Sequence, residues 1–162
     1  MEEKQYQFRY EVYETIEELK EEDKWLLEQA REATRLSYAP YSKFYVGAVA
    51  LLDNGEVVAG ANQENASFPA GLCAERVVLA AISSSYPKAA ILTMAISYRN
   101  EKGGDHSPIT PCGVCRQALQ ENVYKTGKSI KLILGGMDGK VMVISDTSLL
   151  LPFSFTGKEL KG

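Results

Sequence analysis

The sequence predicts an α/β protein in which a mixed five-stranded sheet lies between two layers of helices, a three-layer α/β/α sandwich. Three observations support this prediction. Helical and strand patterns follow one another in the order α-β-β-α-β-α-β-β, the length of 162 residues fits one domain, and a hydrophobic content of 45 % is enough for one sizeable core. We expect a folded domain over residues 23–162, preceded by an extension over residues 1–22.

The extension is expected to contain a strand and a short acidic helix. Apolar and polar side chains alternate from Tyr6 to Val12, as in a strand with one buried face. The acidic run from Glu14 to Asp23 contains Thr15 and Glu18 at the spacing of a capping box, which favours a short helix. Its charges are typical of a solvated face.

The first half of the domain is expected to form a helix and a hairpin. Asp23 is a candidate N-cap for a helix that runs to about Ser37, with apolar residues at helical spacing. Two apolar segments then flank Asp53-Asn54-Gly55, and an Asn-Gly pair between such segments is a strong hairpin signal. The two expected strands are Phe44 to Leu52 and Glu56 to Ala61.

The second half is expected to supply two helices and three strands. Pro111 suits the first turn of a helix, because its missing N–H would have no partner there. Gly103, Gly104 and Pro108 mark the polar stretch before it as a surface loop. The expected segments are a helix from near Cys73 through Ile82 that is interrupted by Ser83 to Ser85 and Pro87, a strand from Ala90 to Tyr98, a loop from Arg99 to Thr110, a helix from Pro111 to about Lys125, and strands from Ile130 to Leu134 and from Val141 to Ile144.

Composition favours a small-molecule substrate and a cytoplasmic location. The formal charge of −3 argues against binding to a phosphate backbone, which relies on Lys and Arg. No apolar run approaches the roughly eighteen residues of a membrane span, and the first residues lack the order of a secretory signal. We therefore expect a soluble cytoplasmic protein that binds neither nucleic acid nor membrane.

Three cysteines form the strongest candidate for a metal site. Their odd number does not suit a complete set of internal disulfides, and in a reducing compartment we expect metal ligation or catalysis instead. Cys112 and Cys115 have the spacing that places both sulfurs on one face of a first helical turn, and the fold must bring Cys73 to them. Three protein ligands leave the fourth position of a tetrahedral zinc ion to water, as in a catalytic site.

Glu75 is the candidate catalytic residue. It follows Cys73 by two positions, too close on a helix to point in the same direction, yet near enough to face the water at the fourth position. A carboxylate there can take a proton from that water and deliver protons to a substrate. Three thiolates make the site negative, and the positive ends of two helices together with Arg76 can offset that charge.

Several motifs give the chain a family resemblance. They are Cys73-Ala74-Glu75-Arg76, Pro111-Cys112-x-x-Cys115-Arg116-Gln117, Tyr41-Ser42-x-Phe44-x-Val46-Gly47-Ala48, Asn62-x-Glu64-Asn65-Ala66 and Leu150-Leu151-Pro152-x-x-Phe155. In this order they resemble the three-cysteine, homotetrameric cytidine deaminases. The resemblance implies one Zn²⁺ per subunit, a role in pyrimidine salvage, and hydrolysis of cytidine and deoxycytidine to uridine and deoxyuridine through a zinc-activated water.

The resemblance also implies a role for each matching residue. Phe44 is expected to contact the pyrimidine, Asn62 and Glu64 to bind the ribose, and Ala74 to contribute to substrate binding. Phe155 matches an aromatic residue that packs over the base from a neighbouring subunit, which implies sites at subunit interfaces. Arg76, Arg116 and Gln117 are expected to support the metal ligands.

Other interpretations of the same residues stay open at this point. The three cysteines can belong to a structural zinc site if His106 supplies a fourth ligand, and a lone Cys-x-x-Cys also occurs in redox proteins. A deaminase of a cytosine-nucleoside antibiotic is an enzymatic alternative, and an editor of polynucleotides is disfavoured by the acidic composition. Phe68 departs from the family, which often has Tyr there and so has a hydroxyl that this chain lacks.

Overall fold

The fold was described for residues 1–160 of a computed structural model. It contains three helices, α1 (Glu21–Ala33), α2 (Ala74–Ser85) and α3 (Gly113–Thr126). The strands are β1 (Glu11–Tyr13), β2 (Phe44–Leu52), β3 (Val57–Ala61), β4 (Ile91–Asn100), β5 (Lys131–Gly135) and β6 (Val141–Ile144). Short 3₁₀ turns lie at Ile16–Glu18, Thr34–Leu36, Phe68–Ala70 and Thr147–Leu150. The order of helices and strands from α1 onward is the predicted one.

The sheet has six strands in the order β1-β6-β5-β4-β2-β3, one more than predicted. Only β4 and β5 are parallel, and the other neighbours are antiparallel, so the sheet is mixed as expected. The additional strand is β1 from the extension, in which Val12 lies opposite Met142 of β6. The domain boundary at residue 23 stays a prediction.

The strand of the extension is shorter than its sequence pattern indicated. It begins at Glu11 rather than Tyr6. The antiparallel register sets Tyr10 opposite Ile144, the last residue of β6, so the residues before Tyr10 extend beyond the end of that strand. Tyr6 and Tyr10 are 45 % and 55 % exposed, so the prediction of a buried face was wrong. The Tyr6 hydroxyl instead donates a hydrogen bond to the carbonyl of Leu149, at 2.9 Å.

Helix α1 covers one face of the sheet. Its buried residues pack against inward-facing residues of β2, β4, β5 and β6. The helix begins two residues before the predicted cap, with Lys20 at the N-cap position, and ends at Ala33 rather than Ser37. Asp23 does not cap it because its carboxylate pairs with Lys131 at the start of β5, at 2.5 Å.

Helices α2 and α3 cover the opposite face and place their N-termini at the candidate site. Residues of both helices, including Val78, Ile82 and Leu119, join the larger core cluster with Met94 and Leu132 of the sheet. Helix α3 is capped by Gly127, whose φ of +69° permits the left-handed conformation in which its N–H bonds to the Val123 carbonyl. The two helix layers around the sheet confirm the predicted three-layer architecture.

Within residues 1–160, no helix is both long enough and apolar enough to cross a membrane.

Candidate metal and substrate site

The three cysteine sulfurs lie together where α2 and α3 begin. Cys73 and Cys112 are the N-cap residues of the two helices, and Cys115 is in the first turn of α3. The sulfur of Cys112 is 3.8 Å from that of Cys73 and 3.5 Å from that of Cys115. A tetrahedral zinc ion with bonds of about 2.3 Å to sulfur separates its ligands by roughly 3.8 Å, so the cluster fits zinc.

The cluster contains no fourth protein ligand within the described residues. The group of ligand atoms that lie within 4.8 Å of one another consists of the three sulfurs alone. His106 bonds through Nδ1 to Asp138, which raises the pKa of the imidazole, and its side chain is 66 % exposed. The arrangement therefore has the three ligands of a catalytic zinc site rather than the four of a structural one.

The thiol groups differ in their tendency to lose a proton. A hydrogen bond from Cys115 is the largest influence on Cys73 and helps to lower the pKa of the Cys73 thiol to about 6. The same contact and burial raise the pKa of Cys115. The charge of Arg76 also favours the Cys73 thiolate, and the Arg76 backbone N–H bonds to the Cys73 carbonyl at 3.0 Å.

Glu75 places a buried carboxyl group beside the sulfurs. Its side chain belongs to the first turn of α2 and only 5 % of the residue is exposed. The pKa of this carboxyl group is raised above its usual value, chiefly by burial. A hydrogen bond from Cys115 acts in the opposite direction but is a smaller influence. A buried carboxyl group with a raised pKa beside candidate metal ligands is typical of a catalytic acid or base.

A cleft of about 800 Å³ opens over the cysteines and Glu75. Seven of the predicted site residues line it, namely Phe44, Asn62, Glu64, Cys73, Ala74, Glu75 and Cys112. Sequence reasoning assigned no site role to the further lining residues Tyr41, Ser42, Val46, Gln63, Asn65, Phe68, Gly71, Leu72, Ile109 and Thr110. The motifs had already contained four of them, Tyr41, Ser42, Val46 and Asn65, so a signal for these four was present.

Phe44 presents an aromatic face at this cleft. Its ring stacks on Tyr98 of β4, with centroids 4.9 Å apart and planes inclined by 23°. The Tyr98 hydroxyl donates to the carbonyl of Gly104, which ties the ring to the loop before α3. Tyr98 thus packs against one face of the Phe44 ring.

Asn62 uses most of its hydrogen-bonding capacity inside the protein. Its Oδ1 accepts bonds from the Ser37 hydroxyl and the Val46 N–H, and its Nδ2 donates to the Phe44 carbonyl at 2.9 Å. An amide group offers two acceptor positions and two donor hydrogens. One hydrogen on Nδ2 is therefore left for a ligand.

Glu64 is held by the turn that leads into β2. Its Oε2 accepts the backbone N–H groups of Tyr41, at 2.8 Å, and Ser42, at 3.3 Å. The Ser42 hydroxyl is the largest influence among those that lower the pKa of the Glu64 carboxyl group. Glu64 is thus an oriented, negatively charged acceptor at the cleft.

Arg116 and Gln117 hold the C-terminal segment against α3. The Arg116 guanidinium donates to the carbonyls of Pro111 and Leu150, at 2.8 and 3.2 Å, and to the Thr110 hydroxyl. Gln117 Nε2 donates to the Phe155 carbonyl at 2.9 Å. The Phe155 side chain is 58 % exposed and does not line the cleft of its own chain.

Phe68 lies at the rim of the cleft and is 77 % exposed. Its ring meets Tyr41 edge to face, with centroids 6.1 Å apart. The rim therefore has an apolar ring at this position.

Comparison with known proteins identifies the class of site. Residues 20–128 match the model of the cytidine and deoxycytidylate deaminase zinc-binding region. A cytidine deaminase of Halalkalibacterium halodurans is 35 % identical over 135 residues, which cover 83 % of this chain and 95 % of the relative.

Solved structures agree with this match. The cytidine deaminase of Burkholderia pseudomallei has a TM-score of 0.71 and 34 % identity, and the comparison covers 81 % of this chain and 97 % of that one. The cytidine deaminase of Mycobacterium tuberculosis has a TM-score of 0.62 and 32 % identity, with coverage of 81 % and 94 %. These likenesses agree with the fold and the zinc site described above.

Proposed function

Because the chain belongs to the cytidine and deoxycytidylate deaminase family, we propose that it hydrolyses cytidine and deoxycytidine to uridine and deoxyuridine with release of ammonia. It is a zinc-dependent hydrolase that acts on a small-molecule nucleoside. The observation that carries the proposal is the set of three sulfurs at zinc-ligand spacing beside the buried carboxyl group of Glu75.

Cys73, Cys112 and Cys115 are the residues that hold zinc. Zinc bound there supplies a Lewis acid that makes a water molecule nucleophilic near neutral pH. The positive ends of α2 and α3 point at the sulfurs, because Cys73 and Cys112 are the N-caps, and they offset part of the thiolate charge. Arg76 adds a positive charge next to Cys73.

Glu75 moves the protons of the reaction. Water adds to C4 of the cytosine ring and ammonia leaves from the same carbon, so protons must pass from the water to the ring and to the amine. Glu75 accepts a proton from the attacking water, delivers it to N3, and later assists the protonation of the departing amine. Its burial supports this role, since a raised pKa allows a carboxyl group both to accept and to return a proton.

Phe44, Asn62, Glu64 and Ala74 bind the nucleoside. The face of Phe44 packs against the planar base. The remaining Nδ2 hydrogen of Asn62 and the carboxylate of Glu64 bond to hydroxyl groups of the sugar, where one donor and one acceptor are complementary to a hydroxyl. The cleft of about 800 Å³ is in the range expected for a ligand of this size.

The active enzyme is a homotetramer in which Phe155 completes the site of a neighbouring subunit. The exposure of Phe155 and its position outside its own cleft support this assignment. Arg116 and Gln117 fix the segment that carries it. A reducing compartment such as the cytoplasm suits the three thiols, which must stay unoxidised to bind zinc.

The alternative of a structural zinc protein is less favoured. Such a site needs a fourth ligand, and His106 is engaged by Asp138. A deaminase of a cytosine-nucleoside antibiotic keeps the same metal chemistry, so the choice of substrate separates it from the proposed function.

The test is to incubate the purified, zinc-loaded protein with cytidine, deoxycytidine, cytosine, CMP, a cytosine-nucleoside antibiotic and an oligonucleotide while ammonia release is measured. We expect turnover of the two nucleosides and little of the others. Ammonia from the antibiotic alone, or from none of the six, would contradict the proposal.

A further inference from the structure

Tyr98 packs against the aromatic ring that is proposed to contact the base. It lies on β4 opposite Val46 of β2, so Phe44 is its diagonal neighbour across the two strands. The two rings are stacked with their centroids 4.9 Å apart. Phe44 lines the cleft, whereas Tyr98 is buried, with 4 % of the residue exposed, and does not line it. Tyr98 therefore covers one face of Phe44 and leaves the rest of the ring to the cleft.

The backbone of Phe44 is held on both sides of the residue. Its N–H donates to the Ser42 hydroxyl at 3.1 Å, and its carbonyl accepts a bond from Asn62 Nδ2 at 2.9 Å. A phenyl ring on a fixed backbone still has two torsion angles, and the side chains that pack against the ring decide which values are occupied. The orientation of the Phe44 ring thus depends on its packing neighbours.

The Tyr98 ring is in turn held by its hydroxyl group, which donates to the Gly104 carbonyl at 2.9 Å. The residue after Gly104 is bound to the turn between β5 and β6, where the Met137 N–H donates to the Asp105 carbonyl at 2.9 Å. This approach requires glycine at position 136, because a Cβ atom on Gly136 would lie 1.8 Å from the Asp105 carbonyl oxygen. The hydroxyl group of Tyr98 therefore bonds to a segment that is itself fixed.

We propose that Tyr98 is a positioning residue that holds the ring of Phe44 in the orientation that packs against the cytosine base. This inference rests on the proposed function, because it assigns the base contact to Phe44. A ring that is already oriented loses less side-chain freedom when the base binds, so the support favours binding. Tyr98 does not touch the reacting atoms, and its replacement should weaken substrate binding while the chemical step stays nearly unchanged.

The first experiment measures ammonia release by the zinc-loaded enzyme from cytidine and from 2′,3′-dideoxycytidine, which carry the same base. Tyr98→Leu removes the stacked ring and should raise KM for both substrates by the same factor, about three- to tenfold, with kcat within about twofold. Tyr98→Phe keeps the ring but loses the hydroxyl bond, so it should give a smaller rise. An unchanged KM in Tyr98→Leu, a rise for cytidine alone, or a defect confined to kcat would overturn the proposal.

Tyr45→Leu is the matched control. Tyr45 is next to Phe44 on β2 but points to the opposite face of the sheet, where its ring packs against the Arg99 guanidinium and its hydroxyl donates to Glu101. This variant should keep the KM and kcat of the unaltered enzyme. Zinc content and urea denaturation show whether each variant is folded. If Tyr98→Leu is not, Tyr98→Met replaces it, because the flexible side chain of Met adapts to irregular gaps without a ring.

The second experiment is a double-mutant cycle with Phe44→Leu. If Tyr98 acts through Phe44, Tyr98→Leu should add little to the KM defect of Phe44→Leu, since the ring that it positions is already absent. Fully additive defects would show that Tyr98 affects binding by another route.

The third experiment does not depend on activity. 4-Fluorophenylalanine is incorporated at the five phenylalanine positions, and the fluorine NMR signal of Phe44 is assigned by its loss in Phe44→Leu. Tyr98→Leu should shift this signal, because the ring current of the stacked neighbour is removed, and Tyr45→Leu should shift it much less. Equal shifts in the two variants, or none in Tyr98→Leu, would contradict the positioning role.

Two failures are distinguishable. Absence of ammonia release from cytidine in the unaltered enzyme contradicts the proposed function, and the fluorine spectra then still decide whether Tyr98 positions Phe44. If the enzyme is active but its Phe44 signal does not move when the product uridine is added at concentrations that inhibit turnover, the base contact is wrong and this inference fails with it.

Discussion

At the scale of single residues, Glu75 combines two properties that seldom occur together. Its carboxyl group is buried, and it opens onto a cleft large enough for a ligand. Burial of an ionisable group costs free energy unless the group is paired, so the burial of Glu75 lowers the stability of the folded protein. Such a cost is expected where the group performs chemistry.

Replacement of Glu75 by Gln should separate metal binding from catalysis. The amide keeps the shape of the side chain and leaves all three sulfurs in place, but it cannot accept a proton. We expect about one zinc per chain, as in the unaltered protein, and a fall in kcat of about 10²- to 10⁴-fold. Zinc content measured by atomic absorption and ammonia release check this result, and near-normal turnover would contradict the role of Glu75.

Replacement of a cysteine should have the opposite pattern. Cys112→Ala and Cys115→Ala each remove one of three sulfurs, so tightly bound zinc should be lost together with activity. His106→Ala is the control and should retain zinc, because His106 pairs with Asp138 outside the sulfur cluster. Unchanged zinc in both cysteine variants, or loss of zinc in the histidine variant, would require a different ligand set.

At the scale of elements, helix α1 and strand β2 approach each other closely at Gly47. A Cβ atom on Gly47 would lie 2.2 Å from the Ala30 carbonyl oxygen and 2.6 Å from the Thr34 backbone nitrogen. Both neighbours are backbone atoms that cannot move without shifting the helix. The glycine therefore sets the distance between the helix and the sheet.

Gly47→Ala should destabilise the protein by about 1–3 kcal/mol or more, because α1 must move away from the sheet to admit a methyl group. The free energy of unfolding from urea denaturation measures the effect. Gly113→Ala is a matched control, since a Cβ there meets open space at the start of α3. A loss of stability that was as large in the control would show that the effect is not due to crowding.

Asp53 anchors the β2–β3 hairpin to two other parts of the chain. Its carboxylate accepts Lys128 Nζ at 2.8 Å and the Ala90 N–H at 3.1 Å. These bonds, the Lys128 bond first, lower the pKa of Asp53 below its usual value. A carboxyl group with a lowered pKa in the folded state stabilises the fold above its unfolded pKa and loses that contribution as pH falls through the folded value.

Asp53→Asn should therefore lower the free energy of unfolding at pH 7, and the difference from the unaltered protein should shrink below about pH 4. Urea denaturation across this range measures it. A difference that stayed constant with pH would show that ionisation of Asp53 does not contribute. The Lys128→Met variant should give the same loss at pH 7 if the ion pair is its source.

At the scale of the whole molecule, the assignment of Phe155 to a neighbouring site can be tested by complementation. Glu75→Gln and Phe155→Ala chains should each have low activity alone. When the two are co-expressed, some sites combine an intact Glu75 with an intact Phe155 from the adjacent chain. If the two kinds of chain assemble at random, roughly a quarter of the sites contain both intact residues. Activity should then recover to about a quarter of that of the unaltered enzyme.

The control is a mixture of the two variants purified and assayed separately, which should show no recovery. Light scattering on the co-expressed protein measures its mass, and four chains are expected. No recovery in a confirmed oligomer would show that Phe155 acts within its own chain.

The sequence predicted those parts of the molecule that depend on local spacing. The Asn54-Gly55 turn and the span of β2 were recognisable because their signals lie within a few residues. The cysteines and Glu75 were recognisable because short motifs place them at helix starts. The approach of the three cysteine sulfurs to within 4.8 Å of one another depends on the packing of α2 beside α3, which the motifs do not show.

Contacts through space were harder to predict. The pattern from Tyr6 to Val12 indicated a strand, but nothing in it indicates that β6 is its partner or that β6 ends at Ile144. Likewise, the sequence does not show that the Asn62 side chain forms three of its four possible hydrogen bonds with Ser37, Val46 and Phe44. These features depend on the relative position of segments that are distant along the chain.

Strand β1 has a consequence for how the protein behaves at high concentration. Without it, β6 would be the edge strand of the sheet and would expose a row of unpaired backbone donors and acceptors, which is a template for aggregation. The edge strand is instead β1, which has three residues, begins with Glu11 and is followed closely by Glu14. Short, charged edge strands resist the addition of further strands, so the extension protects the protein from edge-to-edge polymerisation.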